Sequence, residues 1–262
     1  MTSTVFVTGA ASGIGAAVAL AAAKAGARVA ALDVDGERVA EVARKAERAG
    51  ATQVLGLKAD VSDEVAVART VARCREELGV PTAVLANAGI ELNAPAHEIP
   101  LVQWQRLLDV NLTGAFLTAR HTIRAMLDAG VGGSVVCTSS PSAFIGFAGG
   151  ENAAYAASKG GVSALVRSLA LDYAGAGIRV NAIVPGATDT PLLTLGVADD
   201  ERAAARARLV AAAAEQIPVG RLGTPDEVAG AVLWLWSDAA AYVTGSHLVV
   251  DGGLMAKSAN TF

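Results

Sequence analysis

Two sequence periods alternate from one end of this chain to the other, and that alternation leaves few architectures open. Short runs rich in β-branched and small apolar residues occupy 5–8, 28–33, 53–58, 83–86, 134–139, 179–184 and 247–250. Between them lie longer Ala- and Leu-rich segments with helical spacing, at 13–25, 36–49, 63–78, 100–129, 154–174 and 225–236. Strands alternating with helices imply crossover connections, and so a mostly parallel sheet with helices on both faces. The expectation is an α/β fold built on a doubly wound sheet of about seven strands. No stretch has linker composition and no repeat is longer than the βα unit, so residues 1–262 read as one domain. The alternation falters only at 188–217, where a Pro-Gly turn (Pro185, Gly186) leads into Thr190-Pro191, an apolar patch and an Ala/Arg helix. Ligands of open α/β sheets bind beyond the carboxyl ends of the strands, so an insertion after a late strand is placed to cover such a site.

Composition narrows the partners. Hydrophobic residues make up 53% of the chain and charged residues 18%, which excludes a disordered chain. The net charge is −4, and no run of Lys or Arg exceeds two residues. A nucleic-acid partner, which calls for a basic stripe, is therefore not expected. Cys74 and Cys137 are too few for a disulfide framework and read as buried thiols of a reducing compartment. The N-terminus has no basic region ahead of its first apolar run, and the longest apolar stretch, 14–23, is too short to span a bilayer. A cytoplasmic protein without membrane association is expected.

The first strand runs into Thr8-Gly9-Ala10-Ala11-Ser12-Gly13-Ile14-Gly15, which opens the first helix. Gly9 allows a tight turn, Gly13 lets a pyrophosphate approach the backbone, and Gly15 lets the helix pack on the strand. The helix N-terminus then presents N–H groups and partial positive charge to a phosphate. A glycine triplet alone is weak, but one between a strand and a helix of a βαβ unit has the context a dinucleotide site needs. The second strand ends at Asp33, where a carboxylate accepts hydrogen bonds from ribose hydroxyls and repels a 2′-phosphate. Asp35 adds charge of the same sign, and no Arg lies in the four residues before Asp33. NAD is expected over NADP.

Tyr155 and Lys159 stand at i and i+4 near the start of a helix and so share one face. A free phenol, with a pKa of about 10, is a poor base at neutral pH. A neighbouring ammonium is expected to lower that value, fitting the tyrosine to exchange a proton with an alcohol or carbonyl oxygen.

Several further motifs follow in order: Asp60-Val61, Asn87-Ala88-Gly89, Asn111-Leu112-Thr113-Gly114, Thr138-Ser139-Ser140, Tyr155-Ala156-Ala157-Ser158-Lys159, Pro185-Gly186 and Val243-Thr244-Gly245. With the Thr-Gly-x-x-x-Gly-x-Gly turn, they resemble the short-chain dehydrogenase/reductase family along nearly the whole chain. The resemblance implies a Rossmann fold and a tetrad. Tyr155 would be the general acid/base and Lys159 its electrostatic partner, also bonding the nicotinamide ribose. Ser140 would bond the reacting oxygen, and Asn111 would kink its helix and hold a water of a proton relay. The family's usual gap to the tyrosine falls instead on Ser142, whereas the end of the strand points to Ser140. Cofactor contacts carry over to Ser12, Ile14, Asp60, Val61, Asn87, Ala88, Gly89, Pro185, Gly186, Thr188 and Thr190. A homotetramer is implied, with one interface on 100–129 and 154–174 and another on 229–255.

His97, His121 and His247 are dispersed and no His/carboxylate cluster has ligand spacing, so no metal is expected. His97 reads as a solvated loop residue near the substrate mouth. The segment 192–197 and Phe144, Ile145 and Phe147 suggest apolar walls and a small to medium uncharged alcohol or ketone. Two other readings stay open: an NADPH-dependent reductase of carrier-bound 3-ketoacyl groups, and a catalytically silent dinucleotide sensor on the same fold.

Overall fold

The computed structural model of the chain describes residues 3–194, 198 and 200–257. Seven strands form one sheet: β1 (Thr4–Thr8), β2 (Arg28–Asp33), β3 (Gln53–Lys58), β4 (Pro81–Ala86), β5 (Gly133–Thr138), β6 (Ile178–Pro185) and β7 (His247–Val250). Their spatial order is β3-β2-β1-β4-β5-β6-β7, and every adjacent pair is parallel. The helices are α1 (Gly13–Lys24), α2 (Gly36–Ala49), α3 (Glu64–Glu77), α4 (Leu101–Leu108), α5 (Gly114–Asp128), α6 (Ala153–Tyr173), α7 (Arg202–Gln216) and α8 (Pro225–Trp236).

Three of the helices, α2, α3 and α8, start at a side-chain cap that the sequence supplies. Asp35 accepts from the Arg38 amide and Asp63 from those of Val65 and Ala66. Thr224 and Glu227 cap α8 reciprocally, with Pro225 in the first turn. The apolar stripes of these helices bury against the two faces of the sheet. One core layer joins α1, α2 and α8 through Val18, Val39, Val42, Val228 and Val232. The other joins α3, α5 and α6 through Val67, Val71, Leu117, Ile123, Val162 and Val166. Strands in the middle of a sheet covered on both faces are buried throughout, which is why their sequences read as unbroken apolar runs.

The expected helix over 100–129 is interrupted. Between α4 and α5 the chain makes one wide turn of π-helix, Asp109–Thr113, which contains the buried Asn111. Widened turns of this kind re-aim a side chain without ending the helix. The segment 188–217 forms a short 3₁₀ turn (Pro191–Thr194) and α7 around a small core of Ala213, Ile217 and Leu222, against which Leu193 packs. Leu195, Gly196 and Val197, expected as part of an apolar wall, lie outside the described residues. No helix of the described residues is long and apolar enough to cross a membrane.

Candidate active site

The strand order reverses between β1 and β4: the chain builds outward from β1 through β2 to β3, then returns to β4 on the other side. At such a switch point the loops leaving two neighbouring strands diverge and open a crevice. Gly9 follows β1 there, and Asn87-Ala88-Gly89 follows β4. The Thr8 hydroxyl accepts from the backbone N–H groups of Asn87 (2.9 Å) and Ala88 (3.2 Å). The Asn87 amide donates to the carbonyls of Thr8 (3.3 Å) and Gly9 (3.4 Å) and accepts from the Thr138 hydroxyl (3.1 Å). One asparagine thus ties together the ends of β1, β4 and β5.

The glycine turn leaves no room for side chains. Gly9 has φ +65°, and a Cβ there would stand 2.8 Å from the Ala88 Cα. A Cβ on Gly15 would fall 2.1 Å from the Gly9 carbonyl oxygen. Ser12 occupies the N-cap position of α1, yet its side chain makes no capping hydrogen bond, and no acidic residue lies in the first turn. Ile14, in that first turn, is half-buried against the α1 face of the core.

Asp33 ends β2 and reaches back over the turn, accepting from the Ala11 N–H at 3.0 Å and the Asp35 N–H at 3.0 Å. It borders a cleft of about 120 Å³ whose lining includes Asp60, Val61, Ala88, Gly89 and Arg106. Partial burial pushes the Asp60 carboxyl up, but hydrogen bonds from Ser62 and Arg106 outweigh it and hold the group below its ordinary value. Arg106 bonds Asp60 and the Ser62 hydroxyl, both at 2.8 Å. It is the cation of this cleft that sequence reasoning missed, because 46 residues separate it from Asp60.

Beyond the sheet, the far side of the crevice holds the four residues expected as a tetrad. The Asn111 side chain pairs with both backbone groups of Ile90, accepting from its N–H (2.8 Å) and donating to its carbonyl (2.9 Å). It also donates to the Ser158 hydroxyl (3.1 Å), which bonds the Tyr155 carbonyl (2.7 Å). Ser140 and Ser142 both stand beside β5: the Ser142 hydroxyl and N–H donate to the Ser140 oxygen, at 3.0 and 3.2 Å. The Ser140 side chain also stands close enough to the Tyr155 phenol to pull its pKa downward. That contact favours Ser140 over Ser142, and Ser140→Ala is expected to lower turnover about tenfold more than Ser142→Ala in steady-state assays.

The electrostatics differ from the expectation in one respect. Lys159 is buried, donates to the Thr138 carbonyl at 2.8 Å, and sits over the Tyr155 ring face at 5.5 Å from its centre. Burial brings its pKa down to about 8, against the opposing pull of the Cys137 sulfur and the Glu91 carboxylate. The Tyr155 phenol is pushed up rather than down: burial comes first, then the Glu91 charge, while Ser140 pulls the other way. The ammonium is turned to a backbone oxygen and does not offset desolvation of the phenol. Glu91 had no marker in the sequence beyond its place two residues after Gly89.

The remaining predicted positions close the site from above. Pro185 ends β6, the Gly186 N–H donates to Val250 (2.9 Å), and the Thr188 hydroxyl donates to Gly186 (3.0 Å). Thr190 lies over the glycine turn, its Cγ2 3.1 Å from where a Cβ on Gly13 would be. His97 is solvent-exposed beside Glu98, as expected of a loop residue. Cys74 and Cys137 are free and buried, and desolvation carries both thiols up to about 12. Among the described residues no group of three His, Cys, Asp or Glu side chains is arranged to hold a metal.

Comparison with known proteins agrees with this geometry. Residues 9–255 match the family model described as enoyl-(acyl carrier protein) reductase. The chain is 45% identical over 251 residues to cis-4-hydroxycyclohexanecarboxylate dehydrogenase of Sinomonas cyclohexanicum, covering 95% of each chain. It is 42% identical to 3β-hydroxysteroid dehydrogenase 1 of Eggerthella lenta, over 96% of this chain and 93% of that one. The crystal structure of a short-chain type dehydrogenase/reductase from Mycobacterium marinum superposes with a TM-score of 0.88 at 36% identity, covering 96% of this chain and 95% of that one. With its seven-stranded parallel sheet and its glycine turn at the switch point, the chain belongs to the short-chain dehydrogenase/reductase family.

Proposed function

We propose that this chain is an NAD-dependent dehydrogenase that interconverts a secondary alcohol and its ketone, with Tyr155 exchanging the proton. The observation that carries the reading is the convergence of Ser140, Tyr155, Lys159 and Asn111 on the crevice that holds the glycine turn and Asp33. The turn fits a dinucleotide pyrophosphate because the start of α1 carries no side-chain cap and no acidic residue in its first turn. When bound there, a nicotinamide dinucleotide supplies the hydride acceptor. The chain's own residues do the rest. Asp60, Val61, Ala88 and Gly89 bound the nucleoside cleft, Asn87 ties the strand ends beneath it, and Thr190 stands over the turn with Thr188 two residues before it. Ser140 orients the substrate oxygen, and the Tyr155 phenol gives or takes its proton. Asn111 holds the Ile90 backbone and the first turns of α6 in place, and on this reading keeps a relay water.

The Asp33 carboxylate favours a free ribose over a 2′-phosphate, and the nearby Arg106 is already paired with Asp60. Titration of the protein with NADH and NADPH, read by cofactor fluorescence, tests this. NADH is expected to bind at least about tenfold tighter, a difference of about 1.4 kcal/mol. Preference for NADPH would sink the assignment.

The two relatives act, by their names, on hydroxylated alicyclic and steroid substrates. Phe144, Ile145 and Phe147 lie partly exposed between Ser140 and Tyr155, which suits a small to medium alicyclic, aromatic or aliphatic alcohol. A cytoplasmic homotetramer completes the reading. Exposed Leu101, Val102 and Phe116 on α4 and α5, and Trp234, Tyr242 and Val249 at the β7 edge, provide two apolar faces for it.

A further inference from the structure

We propose that Glu91 is a specificity-determining residue that excludes carboxylate-bearing alcohols and leaves the site to uncharged ones. The inference rests on the alcohol-dehydrogenase reading above and adds the charge of the substrate to it. Three segments border the crevice that holds Tyr155 and the glycine turn: residues 89–100, 140–155 and 186–194. Together they contain Glu91, Glu98, Glu151 and Asp189, and not one Lys or Arg. Of these acids, Asp189 is ion-paired with Arg206, and Glu98 stands beside His97 at the solvent-exposed rim.

Glu91 differs from the others in how it is held. The residue before it, Ile90, has both backbone groups fixed by Asn111, so the glutamate leaves a rigid point of the crevice wall. Its carboxylate accepts from the Asn93 amide at 3.3 Å, and Asn93 in turn accepts from the Asn152 amide at 3.3 Å. Asn152 is the N-cap residue of α6, three residues before Tyr155. The Ala94 N–H adds a bond to the Glu151 carbonyl at 2.9 Å. This amide bridge spans from the β4 loop to the start of the tyrosine helix and holds a half-buried carboxylate with neutral donors only. Its field reaches the reacting groups: after burial, Glu91 is what raises the Tyr155 phenol, and it opposes the lowering of Lys159.

An anionic substrate would bring a second negative charge into this partly desolvated space, where repulsion is weakly screened. Repulsion of this kind discriminates against the ion without needing a contact to the neutral substrate. The cis-4-hydroxycyclohexanecarboxylate dehydrogenase, 45% identical, is named for a carboxylate; this chain is expected to reject that ion and accept its neutral counterpart.

The test compares cis-4-hydroxycyclohexanecarboxylate with its methyl ester, with NAD, in the wild type, Glu91→Gln and Glu91→Asp. Wild type and Glu91→Asp are expected to prefer the ester by at least tenfold in kcat/KM. In Glu91→Gln the preference is expected to shrink to about threefold, through a gain for the carboxylate. A wild type that takes the carboxylate equally well, or a preference unchanged in Glu91→Gln, overturns the proposal. Binding of both compounds to the NADH-loaded protein, read by NADH fluorescence, separates the two readings. Ester-selective binding that Glu91→Gln abolishes, without turnover of either compound, supports charge selection and overturns the dehydrogenase reading. Binding without such selectivity, or of neither compound, overturns charge selection itself.

Discussion

Tyr155→Phe is expected to lower alcohol oxidation by about 10²–10⁴-fold, the usual worth of a positioned acid/base, and to leave NADH affinity within about twofold. The substitution removes one oxygen. The ring stays half-buried beneath the Lys159 ammonium. Turnover and NADH titration on the same preparation check the two halves of the statement. Retention of activity within tenfold would remove Tyr155 from the reaction. The pH profile provides a second check. Because the phenol is held above its ordinary value, little phenolate exists at neutral pH, and oxidation is expected to climb with pH. The climb should bend over above about pH 8, where the ammonium of Lys159 begins to lose its proton. Ketone reduction, which uses the protonated phenol, should run the opposite way.

Lys159→Met is expected to abolish turnover and, at pH 7, to stabilise the chain free of cofactor. A buried ammonium whose pKa falls from 10.5 to about 8 destabilises the native state. The unfolded chain binds that proton more readily, so stability is lowest below about pH 8 and recovers as pH rises toward 10.5. A shift of that size corresponds to about 3 kcal/mol. Against it stands the lost bond to the Thr138 carbonyl, roughly 1–2 kcal/mol if that oxygen stays unpaired. The net gain of about 1–2 kcal/mol translates into a melting temperature higher by about 2–6 °C. Thermal unfolding at pH 7 and near pH 10 checks it, since the advantage should vanish at the higher value. A variant less stable than wild type at pH 7 would mean that the lysine supports the fold and is not strained by it.

Most of the framework was legible in the sequence because it is set by local period and local caps. The runs at 28–33, 53–58 and 247–250 fold to the residue as β2, β3 and β7, and α2 and α8 also match their expected spans. The other strands gain or lose one or two residues at their ends, where pairing with a neighbour decides the boundary. What the sequence did not reveal depends on contacts between distant residues. The break at 109–113 is expected at Asn111 only through the family resemblance; the contact that accompanies it, Asn111 pairing with Ile90, lies 21 positions away. The upward shift of Tyr155 follows from its burial and from the charge of Glu91, 64 positions before it, while the Lys159 ammonium is bonded to the Thr138 carbonyl; i,i+4 spacing on a helix foretells none of this. Arg106 and Glu91 lie in the crevice only because β3, β4 and α4 converge there, and neither belongs to a periodic pattern.

The glycine turn has one further consequence. With the Gly9 carbonyl 2.1 Å from any Gly15 Cβ, and Asp33 and Asn87 bonded across it, its shape is complete in the chain alone. The turn itself needs no reordering when a ligand enters, so it has little conformational entropy to lose on association. Capture should then proceed in a single fast phase whose rate is set by diffusion and approach angle, without a slow isomerisation afterwards.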